Sequence, residues 1–153
     1  LAMVVMNIVY ASSAYPFGAL SDRWSHRRLL ALGLTVLLLA DMALAVAARN
    51  VSVVALGLAL WGMHLGITQG LLSVMIARSA PAHLRGTAFG VFGLVSGVAV
   101  LLASMAAGVL WDRFGAATTF LAGAAVAGLT LVGLWRAPAS VFAPVGAAAG
   151  NSN

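Results

Sequence analysis

The sequence predicts an all-α integral membrane protein with five transmembrane helices, and three observations carry that prediction. Of its 153 residues, 63% are hydrophobic and only 7% charged, too little polar surface for a domain wetted on its outside. The apolar residues come in long runs free of Asp, Glu, Lys and Arg, and about 20 such residues in a helix cross the roughly 30 Å of bilayer hydrocarbon. The few charges collect between the runs, and far more of them on one set of alternate connectors than on the other.

Taken in order, the spans fall near 1–21, 28–48, 52–78, 86–111 and 115–135. The first has no basic start and is followed by four more, so it is not a signal peptide. The second reaches membrane-crossing length only by continuing through Asp41 to Ala48. The third, charge-free until Arg78 at its end, and the fourth, charge-free throughout, are long and rich in Gly, and the fifth ends at Trp135 before Arg136. Together they make a transmembrane domain over 1–136. The remainder, "APASVFAPVGAAAGNSN" (137–153), lacks helical patterning and reads as a disordered tail. Leu1 already lies inside an apolar run, and an odd number of spans leaves the termini on opposite sides of the membrane, so the chain reads as a fragment of a longer protein.

Helices alternate in direction, which sorts the connectors into two sides. Arg23, Arg27, Arg28, Arg78, Arg85 and Arg136 share one side, and only Arg49 and Arg113 the other. Six against two, all in short segments, places the first side and the C-terminal tail in the cytoplasm. The 49–51 and 112–115 turns face outward. The net charge of +5 is dispersed between spans, without the clustered bases and stacking aromatics of a nucleic-acid binder. The connectors are too short for extramembrane domains, so function lies within the helices or at their ends.

No enzyme, cofactor or metal site is expected. His26, His64 and His83 lie in three separate segments, with no second His near any of them, and no Cys is present. In the third span, Trp61, His64 and Thr68 lie roughly opposite a small-residue face of Gly62, Gly66 and Gly70, with Gln69 to one side. One face can then pack while another offers polar groups to a cavity, and His64 is equally able to bond a neighbouring helix. Asn7 and Tyr10 share a face of the first span as further cavity candidates. Asp41 has only apolar neighbours on its own helix, so it is protonated, paired or in reach of water. In the fourth span, Gly90, Gly93, Gly97, Ser104 and Gly108 fall on one narrow stripe, a seam where helix backbones approach closely.

The connector "GALSDRWSHRR" (18–28), with Gly18, Asp22, Arg23 and the bases Arg27 and Arg28, resembles the signature loop of the major facilitator superfamily. "PAHLRGTAFG" (81–90), with Arg85 and Gly86, is similar to a second link in that family. Two positions depart from the pattern: Ser25 stands where the family usually has Gly, and His26 where it often has Arg or Lys. "GALSDRW" (18–24) also recurs as "GVLWDRF" (108–114) on the opposite side of the membrane, as inverted repeats would place it. The resemblance implies helices eight to twelve of a twelve-helix secondary transporter in a bacterial inner (plasma) membrane. It further implies a small-molecule substrate, alternating access and an N-terminal half of the same carrier as partner, with protons an open coupling partner. By the same resemblance, Asp22 with its loop and the Arg85–Gly86 helix start would latch one access state. A channel or structural membrane subunit is the competing reading.

Overall fold

The structure, a computed structural model, describes residues 2–20, 24–48 and 50–138. The described residues form four long apolar helices and no strand: α1 (Ala2–Leu20), α2 (His26–Val46), α3 (Val51–Ser79) and α4 (Arg85–Arg136), with a short 3-10 turn Ala82–Leu84 before α4. Each is long and apolar enough to cross a membrane.

Local chemistry sets the ends. Ser25, in extended conformation, caps α2 by accepting from the Arg28 N–H at 3.4 Å, so the helix starts at His26. Asn50 caps α3, its Oδ1 accepting from Ser52 N at 3.0 Å and Val53 N at 3.3 Å. At the other end of α3, Ala80 is extended (φ −115°, ψ 139°), as a residue before Pro81 prefers. The Ser at the sequence position where the family loop usually has Gly therefore acts as a helix cap.

The break expected over 112–115 takes a tighter form. Asp112 and Arg113 remain helical, and the only non-helical residue within α4 is Gly115, at φ 82° and ψ 173°. That left-handed φ is open to Gly at no steric cost, so one residue performs the turn. The chain doubles back there. Trp111 and Phe120 meet edge to face with ring centroids 5.9 Å apart, whereas nine residues of straight helix would separate them by about 13.5 Å. Thr118 and Thr119 donate to the carbonyls of Phe114 (3.1 Å) and Gly115 (3.2 Å), four residues back, so their hydroxyls are satisfied within the first turn after the break.

Packing runs in the order α1, α3, α2, α4, with each helix against the next. Gly62 and Gly66 of α3 face α1. A Cβ at Gly62 would collide with the Met6 carbonyl oxygen, and one at Gly66 would lie 2.7 Å from Ser13 Cβ and 3.1 Å from the Tyr10 oxygen. On the α2 side, a Cβ at Gly57 would lie 2.6 Å from Leu44 Cγ, and one at Gly33 2.8 Å from Thr68 Cγ2. Since apolar surface gains nothing by leaving lipid, this close backbone approach is what holds the helices together. The most buried large side chains, Leu29 and Leu71, sit in α2 and α3.

Gly70, Gly90, Gly93, Gly97 and Gly108 differ: nothing lies within 4 Å of a Cβ built at any of them, and Ser104 is exposed. The segment 85–114 instead turns Ala103, Ala106, Ala107 and Leu110 toward 116–136, a different face from the glycine stripe. Leu94, Val95, Leu101, Leu102 and Met105 are all more than half exposed, an apolar surface suited to lipid or to further protein.

Candidate functional site

Three helices line an open groove of about 670 Å³. Leu30 and Leu34 of α2, His64, Thr68, Gln69 and Leu72 of α3, and Thr130 to Ala137 at the end of α4 contribute to its wall. Of the six residues proposed from sequence to line a cavity, His64, Thr68 and Gln69 come together here. Trp61, Asn7 and Tyr10 do not line it. Asn7 donates instead to the Met3 carbonyl of its own helix at 2.7 Å and lies in a shallow groove on α1.

His64 is the best-positioned polar group. Its Nδ1 lies 2.8 Å from the Gly33 carbonyl oxygen across the α2–α3 contact. A carbonyl only accepts, so Nδ1 carries the proton in this bond, and in the Nδ1–H tautomer of the imidazole Nε2 is the acceptor. Gly33 makes this possible, because a side chain there would strike Thr68 and Ile67 before His64 came within reach. The Thr68 hydroxyl donates to the His64 carbonyl at 2.8 Å, turning its methyl toward Gly33. Gln69 is exposed and carries the most extended polar group of the three. The arrangement can hold a polar group of a solute by hydrogen bonds while its apolar part rests on leucines.

At the end of the bundle that carries most of the arginines, Arg27 spans from the first turn of α2 to the last turn of α4. Its Nη2 donates to the Trp135 carbonyl, and its guanidinium lies 5.3 Å from the Trp135 ring centroid. It thereby satisfies one of the carbonyls that a helix C-terminus leaves open and places positive charge at the negative pole of α4. Nothing local in the sequence signals this pair, because its members are 108 residues apart. Asp22 and Arg23 lie outside the described residues. Arg28, Arg85 and Gly86 are exposed, and Gly18 has open space where a Cβ would stand.

Asp41 is 6% exposed and does not share the His64 cavity. It faces a second chamber of about 440 Å³ between α2 and the two segments of α4.

The chain was compared with known proteins. It matches the sequence profile of the Major Facilitator Superfamily over residues 1–151. An uncharacterized MFS-type transporter of Methanocaldococcus jannaschii is 32% identical over 124 residues, which is 81% of this chain and 31% of the relative. An uncharacterized MFS-type transporter of Mycobacterium tuberculosis is 34% identical over 116 residues, 71% of this chain and 18% of the relative. The chain thus spans less than a third of the length of these relatives, and no solved structure matches it. With the charged loop at 18–28, the apolar helices long enough to span a bilayer and a profile match over nearly its whole length, this integral membrane chain belongs to the major facilitator superfamily.

Proposed function

We propose that the chain is part of a secondary active transporter that moves a small solute by alternating access. Membership of the family carries this reading. The chain supplies helices eight to twelve, the fold-back at Gly115 separating the last two spans, and the N-terminal half of the carrier faces them across a central site. The protein lies in a bacterial inner membrane with its C-terminus in the cytoplasm, as the excess of arginine on that side favours. His64, Thr68 and Gln69 contact the solute, and protons are the coupling ion to test first. No chemical transformation is involved.

Saturation separates a carrier from a channel. Flux of the transported solute into proteoliposomes should level off at high concentration, because each transfer requires a conformational cycle. A flux that stays linear would make the protein a channel.

Asp22 latches one access state. In the sequence it lies two residues after Leu20, the last residue of α1, and an acid just past the negative pole of a helix gains by facing a basic group or a helix start. Asp22→Asn should slow transport by about tenfold, the effect of losing one charge-assisted hydrogen bond of ~1.4 kcal/mol, with normal membrane insertion. Wild-type rates in that variant would remove the latch.

A further inference from the structure

The groove beside His64 spends most of its hydrogen-bond donors on its own backbone. The Thr68 hydroxyl donates to the His64 carbonyl, the Thr130 hydroxyl to the Val126 carbonyl and Nδ1 of His64 to the Gly33 carbonyl, each at 2.8 Å. These three side chains then keep only acceptor capacity: the hydroxyl lone pairs and, in the Nδ1–H tautomer, Nε2 of the ring. Among the described residues, the Gln69 amide is the one side-chain donor left in the wall. No Asp, Glu, Lys or Arg lines the groove among those residues, and the rest of the wall is Leu, Gly and Ala. The result is a surface that is apolar, uncharged and rich in acceptors.

We propose, on the reading that His64, Thr68 and Gln69 contact the solute, that this groove selects uncharged amphipathic solutes whose polar end donates hydrogen bonds. A phenol or an alcohol on an apolar body has that chemistry. Its O–H meets lone pairs that no backbone donor fills, and its body rests on the leucines. A carboxylate or phosphate needs several donors or a cation, and one amide is too few. An ammonium finds acceptors but no counter-charge to offset its desolvation among apolar walls. A sugar fits no better, because most of its hydroxyls would face leucine and lose their water without replacement. An ether of the same shape keeps the apolar contact and loses the bond.

Four radiolabelled compounds built on one body test this by equilibrium binding to the purified native-length protein in nanodiscs: 4-cumylphenol, its methyl ether, 4-cumylbenzoate and 4-cumylbenzylammonium. Binding is read directly, so the result does not depend on alternating access. Saturable binding of the phenol is expected, with the ether about tenfold weaker for want of one hydrogen bond and both ions weaker still. His64→Asn keeps the bond to Gly33 but loses Nε2, and should remove most of the phenol's advantage over the ether. The wild-type ranking needs no variant and decides the matter if the Asn protein does not fold. Equal affinity for phenol and ether, or tighter binding of either ion, would overturn the inference; if His64→Asn still shifts that binding, the groove remains a solute site. Binding indifferent to a folded His64→Asn would place the compounds elsewhere and also overturn it. No saturable binding of any of the four would remove the groove as a solute site, and the inference with it.

Discussion

Gly62→Val is expected to destabilise the protein severely, lowering its melting temperature in detergent and reducing the folded yield. A Cβ at this position meets the Met6 carbonyl oxygen, which belongs to the backbone of α1 and has no rotamer to give. Overpacking a close-packed site typically costs about 1–3 kcal/mol, and an obstacle made of helix backbone belongs at the upper end. The loss is not offset by burial, since helix surfaces separated in lipid are still solvated by apolar chains. Gly70→Val is the informative control: it lies two turns further along α3, on the same predicted face, with nothing within 4 Å. Its melting temperature should stay near the wild-type value, within the roughly 0.5 kcal/mol typical of substitutions that meet no neighbour. Equal melting of the two variants would mean that α1 does not pack on α3 through Gly62.

His64→Asn is expected to raise KM about tenfold, or ~1.4 kcal/mol, while leaving stability close to wild type. The amide nitrogen of Asn overlays imidazole Nδ1, so the bond to Gly33 can be kept while Nε2 is removed. His64→Ala removes both and should add a stability loss of about 1 kcal/mol, the usual net worth of one hydrogen bond. Transport kinetics in proteoliposomes and thermal melting on the same preparations separate the roles. An unchanged KM in the Asn variant, with lower stability in the Ala variant, would place His64 in helix packing alone.

These expectations also show what the sequence carried. The ends of α1, α2 and α3 lie within a few residues of the first three apolar runs, whereas the runs at 86–111 and 115–135 fall in the single element α4, broken only at Gly115. The caps at Ser25 and Asn50 were visible as residue types, and reading them would have moved the start of α2 to His26. The face carrying Gly62 and Gly66 followed from spacing alone. Which helix meets that face did not, since one chain offers several small-residue stripes and the stripe of 85–114 has no neighbour among the described residues. Long-range pairs were also out of reach. Gly123 opposite Asp41 and Trp135 opposite Arg27 depend on the fold-back at Gly115, whose geometry rests on one glycine among the 17 in the sequence. Asp41 illustrates the division: its burial was predictable from its leucine neighbours, and the empty space beside it was not.

The central claim is that this chain works as part of a carrier whose site opens to one side at a time. Counterflow tests it most directly: native-length protein in proteoliposomes, preloaded with unlabelled solute and diluted into a trace of the labelled form. Alternating access predicts transient accumulation of label above equilibrium, because loaded carriers return faster than empty ones and exchange solute for solute. Uptake that is indifferent to preloading, with no overshoot, would contradict the carrier and leave a passive pore.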